Sequence, residues 1–297
     1  MFTGLSAFPL TPLRDDAFDE AAYAGLIGRL VAAGVDSITA LGSTGSYMYL
    51  DRDERRRVAR AAVQNAGTVP VMVGIGALRT THVQALAHDA QEAGASALLL
   101  APVTYQKLTD EEVFCLFEDV TADLSVPLVV YDNPGTTHVT FTDELYARIA
   151  ELPHVASIKI PGVPTEPAEA EARVRAIRDR IPADVTIGVS GDSVAATGLN
   201  AGCDGWYSVI GGTLPVLDQT ITRASLSGDH AAATAESERL QPLWSLFAAH
   251  GSFRVTAAIA EYMGLVSTDP LPRPVRGLDT DARAHVAAVV DDLLLRE

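Results

Sequence analysis

Eight short apolar runs, each followed by a longer amphipathic stretch, constrain this chain more than any other feature. The runs cover 5–10, 37–41, 69–75, 96–101, 127–131, 155–160, 185–189 and 206–210. They are rich in Val, Ile and Leu and show little polar alternation, as parallel strands covered on both faces require. Helical periodicity fills the gaps, over 18–33, 51–65, 80–93, 110–123, 142–150 and 166–180. Eight such units in about 225 residues predict an α/β fold, a closed TIM (β/α)8 barrel. A doubly wound sheet is the rival. Its nucleotide fingerprint is missing, because Gly74-Ile75-Gly76 continues with Ala77, Leu78 and Arg79 and no phosphate-binding loop occurs.

The joints carry the expected punctuation. Asp51-Arg52-Asp53-Glu54 offers an N-cap with a carboxylate three residues on. Thr109 and Thr142 each precede a pair of acids. Ala33-Gly34, Ala93-Gly94 and Ala201-Gly202 each close a helical stretch just before a strand, with glycine supplying a left-handed cap. Beyond residue 226 the strand signal stops, and 230–249, 253–263 and 281–295 read as three helices. The predicted organisation is therefore a barrel over 1–225 with a C-terminal three-helix extension over 226–297.

Charge and composition exclude several classes. The 297 residues carry a net charge of −16, which repels nucleic acid and anionic membrane. No apolar run reaches the ~18–20 residues of a membrane span. The start, Met1-Phe2-Thr3-Gly4-Leu5, lacks the basic and apolar regions of a signal peptide. Two cysteines, Cys115 and Cys203, make neither a disulfide framework nor a four-ligand zinc site. The expectation is a soluble, cytoplasmic protein.

Of the 22 basic side chains only two are lysines, Lys107 and Lys159. Lys159 lies among apolar neighbours at the end of the sixth run, and the catalytic face of a barrel lies at the strand C-termini. A buried ammonium tends to lose its proton, and the free amine adds to a ketone to form a Schiff base. The alternative is a structural lysine that snorkels or pairs with a carboxylate. Tyr131 ends the fifth run, where its phenol could relay protons or simply fill the barrel. Gly42-Ser43-Thr44-Gly45, after the second run, offers backbone N–H groups and two hydroxyls as an anion cradle. Such a cradle would hold the carboxylate of a 2-keto acid while Lys159 attacks its carbonyl.

Gly42-Ser43-Thr44-Gly45, Tyr131 with Pro134 three residues later, and Ser157-Ile158-Lys159 together resemble the dihydrodipicolinate synthase / N-acetylneuraminate lyase superfamily. The resemblance continues in Thr11-Pro12, Ser190-Gly191-Asp192 and Gly205-Trp206-Tyr207-Ser208-Val209, and spans the chain. It implies a class I (Schiff-base) lyase, aldolase or hydro-lyase acting on pyruvate or a 2-keto-3-deoxy acid, by carbon–carbon bond cleavage or formation or by dehydration. No separate cofactor is implied, since the Schiff base forms on Lys159, and the expected assembly is a homo-oligomer, tetramer or dimer. It assigns Lys159 as the Schiff-base lysine, Tyr131 as the proton relay with Thr44 joining it, and Ser43 and Thr44 as carboxylate ligands. Tyr207 matches a position packing near the bound keto acid. Tyr105, or Thr104 beside it, falls where the family places a relay tyrosine reaching across a dimer interface.

Departures from the pattern narrow the expected substrate. The synthase branch has an arginine two residues after the motif proline, and here that position is Thr136. Ser46 stands where the family usually has glutamate. The expected second substrate is an aldehyde or a sugar acid with a neutral or hydroxylated distal part. One alternative is a 4-hydroxy-tetrahydrodipicolinate synthase condensing pyruvate with aspartate semialdehyde. The other is a non-catalytic barrel that senses a keto acid.

Remaining signals carry less. The seven histidines show no close metal-ligand spacing, so no metal is expected; His138 follows the fifth run and reads as a loop residue. Gly191 and Gly211-Gly212 sit where barrels often bind phosphate, but tight loops explain them better. Arg52, Arg55, Arg56, Arg57 and Arg60, interleaved with acids, read as a solvated or interface face, and Lys107 as a solvent-facing loop residue.

Overall fold

The eight apolar runs form eight parallel strands: β1 (Gly4–Ala7), β2 (Ser37–Ala40), β3 (Val71–Gly74), β4 (Ala97–Leu100), β5 (Leu128–Tyr131), β6 (Val155–Ile160), β7 (Thr186–Val189) and β8 (Gly205–Ser208). In this computed structural model, which describes residues 1–295, the strands close into a barrel in chain order, with β8 returning to β1. The expected (β/α)8 architecture is thus the observed one.

The two-residue period of each strand divides the core. Inward side chains Met72, Ala97, Leu99, Val129, Tyr131 and Tyr207 pack with Phe8 as a small cluster inside the barrel. Outward neighbours Ile38, Leu98, Leu100, Val130, Ile158 and Ile187 join the larger core beneath the helices. Polar residues in the interior pair with one another, as Ser6 Oγ does with Thr39 Oγ1 at 2.8 Å.

Helix ends follow the sequence signals. Asp51 and Thr109 both close reciprocal capping boxes, with Glu54 and Glu112, and the Thr142 hydroxyl accepts from Leu145 N–H. Gly34, Gly94 and Gly202 have φ of 68°, 89° and 101°. The stretch expected to be helical from residue 18 begins instead at Glu20. Phe18 belongs to a two-residue ribbon, Leu13–Arg14 with Ala17–Phe18, turned by Asp15 and Asp16 at φ 52° and 62°.

Two expectations need correction. The segment read as one helix over 230–249 is two, His230–Arg239 and Gln241–His250. Pro242 has no N–H to give the carbonyl four residues earlier, so the first helix stops at Leu240. With Ser252–Tyr262 and Thr280–Asp292, four helices follow residue 229 among the described residues. Leu240, Leu243, Trp244, Val255, Ile259, Val286 and Val290 from these helices share the core of the barrel helices.

The arginine run is not uniformly solvated. Arg55 is buried, shares its helix face with Val58, Ala59 and Ala62, and donates to the carbonyls of Gly74 and Gly76 at 2.9 and 3.0 Å. Burial lowers its pKa to about 10, and Tyr47, whose ring lies 5.4 Å below the guanidinium, offsets part of the fall. Arg52, Arg56 and Arg57 pair with Asp89, Asp53 and Glu20 on the outside. Among the described residues, no helix is long and apolar enough to cross a membrane.

Candidate active site

Pairing between β5, β6 and β7 sets the centre of the site. Tyr131 on β5 and Gly188 on β7 are both register partners of Lys159 on β6. Lys159 is 2 % exposed, so its amine is removed from bulk water. Three rings surround it: Phe8 at 4.1 Å from Nζ to centroid, Tyr131 at 4.6 Å and Tyr207 at 5.6 Å. Nζ donates to the Tyr207 carbonyl at 3.3 Å. Burial lowers the lysine to about 7, against the opposing pull of the Asp192 carboxylate, so a large share of the amine is unprotonated at neutral pH.

Gly188 makes room for this arrangement. A Cβ there would fall 2.1 Å from the Tyr207 ring, so only glycine lets that ring lie beside Lys159. Tyr207 is also held from below, its hydroxyl bonded to Ser157 Oγ at 2.7 Å.

The Tyr131 phenol faces a small polar cluster. Asn133 Nδ2 donates to it at 2.9 Å, and Ser43 Oγ lies 3.4 Å away. Asn133 Nδ2 also reaches Ser43 Oγ at 3.4 Å. Burial raises the phenol to about 12, with the Ser43 and Asn133 bonds working against that rise, so it is a neutral donor at physiological pH. Leu41, at φ 57°, turns the chain out of β2 and brings the 42–45 loop over the barrel mouth.

Above the lysine opens a cavity of about 640 Å3. Lys159, Tyr131, Ser43, Thr44 and Thr136 all line it, so five of the seven residues singled out in the sequence converge. Tyr207 does not; it lies at the lysine's side within the barrel. Tyr105 is 88 % exposed on the loop after β4 and lies outside the cavity. His138 and Lys107 are likewise exposed and outside it. Gly212 is packed so that a Cβ would meet the Phe8 carbonyl at 2.1 Å, which accounts for that glycine by close approach.

Sequence reasoning missed three contributions. Asn133 was read only as part of a turn, although its place two residues after Tyr131 puts it on the same face. Asp192 lines the cavity with its carboxylate satisfied by Trp206 Nε1, the Ser208 hydroxyl and the backbone N–H of Val209 and Ile210. Trp244, Phe247 and Phe253, from the C-terminal helices, wall the cavity mouth. No local pattern shows where those helices dock.

A closed (β/α)8 barrel with a buried, low-pKa lysine beside a phenol at its strand C-termini defines a class I, aldolase-type lyase. Comparison with known proteins agrees. The profile of the dihydrodipicolinate synthetase family matches residues 1–293. The chain is 43% identical, with a TM-score of 0.94 and 98% coverage of both chains, to the crystal structure of a dihydrodipicolinate synthase from Agrobacterium tumefaciens. It is 33% identical to a 4-hydroxy-tetrahydrodipicolinate synthase from Halorhodospira halophila, over 98% of this chain and 97% of that one. A protein of the same name from Methylobacterium radiotolerans is 30% identical over 95% of each. The chain belongs to the dihydrodipicolinate synthetase family.

Proposed function

We propose that the protein is a Schiff-base lyase or aldolase that uses pyruvate, or a 2-keto-3-deoxy acid that yields it. The observation that carries this is the Lys159 amine, buried yet open to the 640 Å3 cavity and set against the Tyr131 phenol. The 42–45 loop, with the Ser43 and Thr44 hydroxyls, holds the substrate carboxylate. The Lys159 amine adds to the C2 carbonyl, and Tyr131 delivers the proton that lets the hydroxyl leave as water. Tyr131, having given up its proton, takes the proton of the C4 hydroxyl while the iminium draws electrons from the C3–C4 bond, which breaks to release an aldehyde and leave an enamine. Protonation at C3 and hydrolysis then free pyruvate and the amine. Run backwards, the same steps join pyruvate to an aldehyde.

Incubation with pyruvate and borohydride tests this. The reduced adduct is expected on Lys159 by peptide mass analysis, and its absence overturns the proposal.

A second reading takes its support from the relatives' names: condensation of pyruvate with aspartate semialdehyde. Thr136 lines the cavity where the synthase branch is expected to place an arginine for the second substrate's carboxylate. An assay with aspartate semialdehyde decides between the readings. We propose a homo-oligomer as the assembly, with the exposed Tyr105 loop available to a subunit contact.

A further inference from the structure

We propose that the substrate's distal end, beyond the C3–C4 bond, is apolar and aromatic, so the aldehyde exchanged with pyruvate is an aryl aldehyde rather than a hydroxylated or charged one. This rests on the Schiff-base reading above and names its second substrate.

Volume and position come first. A cavity of about 640 Å3 lies within the ~300–1,000 Å3 that holds drug-sized ligands, far more than a three-carbon keto acid fills. Lys159 and the 42–45 loop hold the keto-acid end at the floor. The remaining space therefore lies toward the mouth, between the loops after β2 and β5 and the helices Gln241–His250 and Ser252–Tyr262.

The outer wall is mostly apolar, with Ser252 and Thr136 among its polar members. Trp244, Phe247, Ala248 and Phe253 line one side, with Tyr49 and Pro134 from the loops. The one polar atom of the Trp244 ring is already used, since Nε1 donates to the Ser237 carbonyl at 2.9 Å. The Trp244 ring meets Phe247 at 5.7 Å between centroids, tilted by 59°, and Phe253 packs on the cluster containing Leu10 and Leu26. These rings are held in place before any ligand arrives, and a further ring can join them edge-on or offset. A polyol tail would lose its water against them and leave hydroxyls unpaired, which is costly.

In the synthetic direction the Lys159-bound enamine forms a bond from C3 to the aldehyde carbon. The carbonyl oxygen takes up a proton, and C3 has lost one on enamine formation. Hydrolysis releases a 4-aryl-4-hydroxy-2-oxo acid, so pyruvate and aldehyde are consumed one for one and no redox partner is needed.

The full-length enzyme is to be assayed with pyruvate and, separately, benzaldehyde, glyceraldehyde and aspartate semialdehyde, reading product formation. Benzaldehyde is expected to be preferred in kcat/KM by about tenfold or more. Phe247→Ser is expected to shrink that preference by about tenfold. Preference for glyceraldehyde or aspartate semialdehyde in an enzyme that forms the pyruvate adduct overturns this proposal alone. Failure to form the adduct overturns the Schiff-base reading and this proposal together.

Discussion

Lys159 and Tyr131 are register partners on adjacent parallel strands, and the amine of one stands 4.6 Å from the ring centroid of the other. Barrel closure holds both on the inner face, so their relation depends on strand pairing rather than on a loop. Removing the amine while keeping the shape tests what it does. Lys159→Met is expected to lower activity by at least about a thousandfold and to leave the melting temperature unchanged or raised, because a buried amine costs more than a buried thioether. Calorimetry beside a pyruvate-release assay reads both, and a collapse in stability would mark the lysine as structural.

Proton linkage gives a second expectation. The folded protein holds Lys159 at about 7, below its ordinary 10.5. Between those values the unfolded chain binds a proton that the folded protein does not. Stability contributed at this site therefore rises with pH across that window, and below it both states are charged. The melting temperature of the parent relative to Lys159→Met is expected to climb from pH about 7 toward 10.5. kcat/KM is expected to rise as free amine accumulates up to and through pH about 7 and to level off above it, and a flat profile would contradict it.

Asn133 is expected to act through Tyr131. Tyr131→Phe removes the relay proton and is expected to cost ~10^2–10^4 in kcat. Asn133→Ala removes the 2.9 Å bond to the phenol and is expected to cost about tenfold, mainly in kcat. Adding Asn133→Ala to Tyr131→Phe should then cost little more, since the two losses share one cause. Full additivity in the double variant would separate the roles.

Gly188→Ala tests the packing under the lysine. Its Cβ would meet the Tyr207 ring at 2.1 Å, so a loss of about 1–3 kcal/mol is expected in urea unfolding. Pairing it with Tyr207→Leu should recover part of that loss. Destabilisation that Tyr207→Leu leaves untouched would place the strain elsewhere.

Local chemistry alone made much of this protein legible. Strand and helix periods, the helix caps at Asp51, Thr109 and Thr142, and the glycines at 34, 94 and 202 all depend on neighbours within one or two turns. They foretold eight βα units, and the scarcity of lysine drew attention to Lys159. What sequence could not supply was anything fixed by long-range packing. Arg55 looked like one more surface charge until the helix face and the Gly74 and Gly76 carbonyls were in place. That the Tyr207 ring lies beside the lysine depends on Gly188 on the neighbouring strand, which leaves it room. The docking of Trp244, Phe247 and Phe253 over the barrel mouth belongs to the tertiary structure alone, because apolar periodicity says that a helix must be covered but not by what.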